Sequence, residues 1–254
     1  MAYYFLFPEL DTTLYSHPDR SEMNAGSDEI LEIVKERGST DNILYPSRII
    51  LKFKNDDLID TIGNIVGHNN FNNITTASLQ LTAAEPKNLI STLNLELFAL
   101  SQSWDEGTGR FSNLPTSSNG CSWLYRDNDI DKTLWVSSSI GPGGIVTGSI
   151  ADNTTASFGN KQNVTEGGGA WYTGSAFQGS QQFLNSDSLD TNINVTSIVQ
   201  KHSASLFSNS TYPTGIFNNG FIIKQPDSIE QDTSSSFGEM KYFSVDTPTI
   251  YPQN

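Results

Sequence analysis

A single cysteine, Cys121, stands in 254 residues. No internal disulfide can form, which points to synthesis in a reducing compartment. No histidine lies near Cys121 in sequence to activate it, so it reads as a small half-buried side chain beside Trp123 rather than a nucleophile. Histidine is almost as scarce: His17, His68 and His202 lie far apart and in no metal-binding spacing. A Gly-x-Ser-x-Gly elbow and a phosphate-cradling glycine loop are both missing. Asp105 and Glu106 are adjacent, so a continuing strand would send them to opposite faces, a poor start for an acid–base pair and better suited to capping a turn beside Trp104. The chain reads as a non-enzyme.

Basic residues are few as well. Against 28 acidic residues there are 14 basic ones, giving a formal charge of −14 and no basic patch. Such a surface repels nucleic acid and anionic membranes. Apolar runs stay far short of the ~20 residues a membrane helix requires. The opening Met1 to Glu9 lacks a basic segment and breaks at Pro8, so it is expected to be strand rather than a secretion signal. The sequons at Asn73, Asn153, Asn163, Asn194 and Asn209 then carry little weight in a chain so rich in Asn and Thr.

What is present is period-two alternation and aromatic anchors. Leu93, Leu95, Leu97 and Ala99 alternate with Asn94, Glu96 and Phe98 and run into Trp104 and a turn at Gly107 and Gly109. Ile49, Leu51 and Phe53 alternate with Arg48, Ile50 and Lys52, predicting one apolar and one charged face. Leu79 and Leu81 alternate within 77–83, and the short connection to 93–99 predicts that these two strands pair antiparallel. Further strands are expected over 3–7 and 10–15, broken at Pro8, and over 170–172, 190–194, 218–224, 239–245 and 250–251; the pattern of 28–35 fits strand or a short helix, and its place between two turn clusters favours strand. Helical turns are expected over 56–66, capped by Asn55 or Asp56, and over 194–199, capped by Asn194 or Thr196. Residues 107–169, rich in Gly, Ser, Asn and Thr, read as an elaborated insertion pinned by Trp123, Leu124, Tyr125, Leu134, Trp135 and Val136. Leu51, Leu79, Leu97 and Ile222 are expected to share a single gap between stacked sheets.

In order along the chain stand Asp11 to Tyr15, Asn24-x-Gly26, Arg48 to Phe53, Ala77-x-Leu79-x-Leu81, Trp104-x-Glu106-Gly107, Trp171, Asn194-Val195-Thr196 to Val199, Asn218-x-Gly220-Phe221, and Phe243-Ser244 leading to Pro248. This order resembles the jelly-roll modules called DNRLRE-type or carbohydrate-binding-module-like domains, over nearly the whole chain outside the insertion at about 108–166. The resemblance implies an all-β fold, an antiparallel two-sheet jelly-roll β-sandwich spanning 1–254 as one domain, with the loop-rich insertion and one or two short helical turns. Such modules occur as sugar-binding appendages of bacterial enzymes and as stand-alone proteins of tailed-phage particles. The acidic, Asn/Thr-rich composition is similar to that of virion proteins of marine contractile-tail-like phages. The expectation is therefore a virion structural protein (decoration, collar, tail or baseplate), assembled in the bacterial host cytoplasm with other virion proteins or further copies of itself as partners.

The alternative is a glycan-binding module. Trp123, Tyr125 and Trp135, with Trp171, supply rings that could stack on sugars, although an insertion that stabilises itself would bury the same rings. No cofactor is required. Asp127 to Asp131 imitates the opening of an EF-hand but has Lys132 and Ser138 where Gly and Glu are needed. The resemblance also implies a structural Ca²⁺ between an N-terminal loop and the last strands, with Asp11, Glu22, Asn24 and Asp246 as its candidate ligands.

Overall fold

The computed structural model describes residues 3–67, 76–87, 92–113, 119–129, 132–135, 146–148, 167–184, 189–207, 215–236 and 238–248. The expected loop at 68–73, the glycine-rich centre of the insertion, Val136, the strand at 250–251 and the sequons at Asn73, Asn153, Asn163 and Asn209 lie outside these residues.

Strands follow in the order β1 (Pro8–Tyr15), β2 (Ile30–Ile33), β3 (Lys35–Arg37), β4 (Leu44–Phe53), β5 (Ser78–Leu79), β6 (Ala83–Lys87), β7 (Leu93–Ala99), β8 (Tyr125–Asp127), β9 (Thr133–Leu134), β10 (Val146–Gly148), β11 (Ala170–Tyr172), β12 (Gln178–Phe183), β13 (Ile193–Asn194), β14 (Phe221–Lys224) and β15 (Glu239–Phe243). Short helical segments lie at Asn55–Ile59, continuing as π-helix over Asp60–Gly67, and at Phe111–Asn113, Thr196–Leu206 and Asp227–Glu230. The protein is thus mostly β, with antiparallel sheets and few short helices.

The central sheet runs β1-β4-β14-β7-β12, with β3 also paired to the start of β4. Directly opposed residues of an antiparallel ladder share a face. Leu51, Phe221 and Ala99 therefore lie on one side, with Ile49, Ile223 and Leu97, while Ile50, Ile222 and Phe98 lie on the other. A second sheet, β2-β15-β6, covers the first side. Thr13 Oγ1 accepts the Glu32 amide, Tyr15 Oη donates to Glu32, Ser47 Oγ donates to the Glu32 carbonyl, and Ser244 Oγ, just past β15, donates to Asp11. The β5–β13 ladder crosses the same side where Gly179 allows close approach: a Cβ there would lie 2.7 Å from the Asn194 carbonyl.

The opposite side is covered too, by residues of the insertion and its return. Arg48, expected on an open charged face, is only 1% exposed. Burial on both sides explains why β14 is buried at every position and β4 at eight of ten. Leu51, Leu79, Leu97 and Ile222 belong to one contiguous core, but the register corrects the expectation of a single gap. Ile222 faces away from Leu51 and Leu97, toward Gly169.

Other expectations also change. Residues 77–83 do not pair with β7: β5 pairs with β13, β6 with β15, and β7 lies between β14 and β12. Pro86, taken for a loop, falls within β6. Strand structure begins at Pro8 itself instead of breaking there, because Pro8 opens the edge strand, where its missing N–H costs nothing. The helix expected near 56 caps at Lys54 without a side-chain bond, and the one after β13 runs three turns, to Leu206. Asn194 still serves that helix's start, its Oδ1 accepting the Thr196 amide.

Candidate functional site

Two sequence motifs far apart in the chain meet at the end of β1. Asn24 is fully buried, its amide donating to the Glu106 carbonyl at 2.6 Å and the Cys121 carbonyl at 2.7 Å. Its Oδ1 accepts the amides of Gly26 and Gly109. Glycine is required around it: Gly107 and Gly120 have φ of +76° and +73°, and a Cβ on either would collide with Asn24 and with the other glycine or Glu106. The turn this builds presents the Glu106 carboxylate to the Asp11 amide at 2.7 Å. Asp11, itself buried, accepts Ser244 Oγ at 2.7 Å and the Val245 amide at 2.8 Å. Asp105 points elsewhere and is exposed.

Burial, against the two donated hydrogen bonds, pushes the Asp11 carboxyl up to about 6, with nearby Asp246 adding to the rise. Burial likewise lifts Glu106 to about 7, helped by the charges of Asp11, Asp246 and Asp105. Of the expected Ca²⁺ ligands, Asp246 lies near enough to Asp11 to act on its carboxyl. Both Asp11 oxygens and the Asn24 oxygen already accept protein donors, and Glu22 lies at the surface, 3.4 Å from Lys132. Among the described residues no three His, Cys, Asp or Glu side chains group to hold a metal ion. Residues 127–129 form a local turn, the Asp127 carboxylate accepting the Asp129 amide.

On the far side of the sheet a cationic centre is enclosed by tryptophans. Arg48 meets Glu230 in a two-bond pair and donates to the Gly168 carbonyl at 2.8 Å. Its guanidinium lies 4.6 Å from the Trp123 ring and 5.2 Å from the Trp171 ring. Lys224 is equally buried, bonded to Asp227 and within 3.7 Å of Glu230 and 3.9 Å of Glu96. Trp123 and Trp135 are 0% and 1% exposed, and Trp135 Nε1 donates to the Ser122 carbonyl. Their rings are core, with no face open to a sugar. Tyr125 is half-buried, with Lys132 Nζ 5.0 Å from its ring centre.

No protein-family model matches this chain, and no curated protein is detectably similar to it. The surface must speak for itself. Among the described residues, Leu134, Leu184 and Val245 are exposed singly, whereas the exposed aromatic side chains gather at one end: Tyr3, Tyr4, Phe5 and Phe7, between 51% and 76% exposed, and Phe217 at 77%. These belong together because Pro8 pairs with Phe53, whose carbonyl accepts a bond from Asn218, the neighbour of Phe217. Leu6 fastens the segment by packing on Leu58, Ile62 and Ala204. The alternation of Tyr3, Phe5 and Phe7 was legible, but as a strand, and residues 3–7 form none. No local signal announces that Arg48 and Glu230, 182 residues apart, are partners. A second open feature is polar: Asn94, Glu96, Gln178, Ser180 and Gln182 share the exposed rows of β7 and β12.

Proposed function

We propose that this chain is a non-enzymatic structural protein of a phage particle, a decoration, collar, tail or baseplate component built on a jelly-roll β-sandwich and acting through protein–protein contacts. The observation that carries this reading is the exposed aromatic end. Apolar side chains are scattered singly on most soluble surfaces, whereas a contiguous group of rings marks a contact site. The buried polar and charged groups support it in a second way, since Arg48, Lys224, Asp11 and Asn24 are all engaged in holding segments together. The sequence resemblance supplies the particle. Mass spectrometry of purified particles, with co-sedimentation of the recombinant chain, tests the reading; a protein that never travels with particles would refute it.

A glycan-binding role is the second reading, favoured by the polar rows of β7 and β12 rather than by the loop tryptophans. Amide and hydroxyl groups at strand spacing suit a ligand rich in hydroxyls. A glycan array comparing the wild-type chain with Gln178→Ala and Gln182→Ala variants tests it, and silence on the array removes it.

A further inference from the structure

From Phe5 onward the opening segment alternates: Phe5, Phe7 and Glu9 are exposed, while Leu6, Pro8 and Leu10 are partly covered by the protein's own core. Tyr3 continues the outward row. Residues 3–7 form no strand of their own, and Leu6 anchors the row to the protein by packing on Leu58, Ile62 and Ala204. We propose that this row packs against the same row of a second copy of the chain, antiparallel about a twofold axis near Phe5, making a homodimer. The proposal rests on the contact reading above and names its partner.

Area admits a second copy, and charge confines its approach to this row. Each ring can bury about 150–250 Å² in full, so the three rings of the row together with Phe217 at the same end, each more than half exposed, offer roughly 500 Å² per chain. Two chains then reach about 1,000 Å², the lower bound of a specific interface. With a charge of −14 per chain, two copies repel across most approaches. Tyr3 to Pro8 carries no charged side chain, so contact costs least there. With Phe5 on the axis, Tyr3 faces the second copy's Phe7 and the two Glu9 carboxylates fall at opposite ends. They lie roughly 27 Å apart at strand rise, beyond the screening length of physiological salt. An isologous contact of this kind closes at two and does not propagate.

Sedimentation velocity of the full chain over a wide concentration range, at low and high salt, tests this. The wild-type chain should form a dimer that strengthens with salt as repulsion is screened. A Phe5→Ser/Phe7→Ser variant should raise the dimer dissociation constant at least about tenfold while remaining folded, with a thermal midpoint within a few degrees of the wild type when both are diluted to monomer, since more than half of each ring is exposed. A wild-type chain that is monomeric throughout, or a ring variant that dimerises equally well, overturns the proposal. If the chain is monomeric and the ring variant also loses co-sedimentation with particles, a different protein occupies the row: the second copy is refuted and the contact reading stands. A dimer that never accompanies particles would do the reverse.

Discussion

Arg48 and Glu230 join side-on, Nε to Oε1 at 3.1 Å and Nη2 to Oε2 at 2.6 Å, with neither side chain more than 3% exposed. Removing one partner of such a pair leaves a buried charge uncompensated. Glu230→Leu should therefore cost about 3–5 kcal/mol, because it strands Arg48 and also deprives Lys224 of a neighbour. Arg48→Met should cost less, since Lys224 still faces Glu230. The double variant should recover much of the loss, a coupling that denaturant titrations of all four proteins in a mutant cycle will measure.

Gly168 has φ +77°, and a Cβ there would lie 2.6 Å from Arg48 Nη1 and 2.7 Å from the Trp123 ring. Gly174 has φ +107° but nothing nearer than 3.9 Å. Gly174→Ala should lose about 1 kcal/mol from backbone strain alone, whereas Gly168→Ala should lose about 3 kcal/mol or more. The difference in denaturation midpoint between the two isolates the steric part.

Trp135→Ala should destabilise the fold by about 3–5 kcal/mol, as expected for emptying an indole-sized space in a core. Tyr125→Ala, at a half-buried position, should cost about 1 kcal/mol. Thermal and chemical unfolding of both variants check this, and equal effects would mean that Trp135 is not interior.

Asp11 and Asp28, each raised to about 6, and Glu106, raised to about 7, hold protons in the folded chain at a pH where the unfolded chain has released them. Their contribution is fully present below the unfolded carboxylate pKa of about 4 and is lost as pH rises through the folded values. His202 acts in the opposite sense: burial lowers it to about 3, so its contribution is present above about 6.5 and is lost as pH falls from there. Three groups outweigh one, and the melting temperature should be higher near pH 5.5 than at pH 8. Glu106→Gln should narrow that difference, and scanning calorimetry across the pH series reads it directly.

The sequence revealed strands wherever alternation reported a real division of environment. Leu93 to Ala99 alternates because its odd-numbered residues enter the core and its even-numbered ones are at least partly open. Phe221 to Ile223 is uniformly apolar because both sides of β14 are covered, and there the sequence could not say which residue faced which layer. Pairing was misread where nearness along the chain stood in for nearness in space. The neighbours of β7 are β14 and β12, both reached only after the insertion. The buried cations were illegible for the same reason: Arg48 looks like a surface residue until Glu230, Gly168 and two tryptophans arrive from elsewhere. Asn24-x-Gly26 and Glu106-Gly107 were singled out separately, and only the fold shows that the first binds the second.

Trp135 donates its amide and its indole N–H to the Leu124 and Ser122 carbonyls, and Gly168 donates its amide to the Trp123 carbonyl between them. The chain thus departs from and comes home to the same three-residue ledge. Closing a loop between fixed ends grows only slowly costlier with length, about 0.6 kcal/mol per doubling. An insertion between those anchorages that spares β10, which pairs with β11, accordingly adds little closure cost and leaves the ledge in place, a port for grafting an epitope or a fluorescent tag.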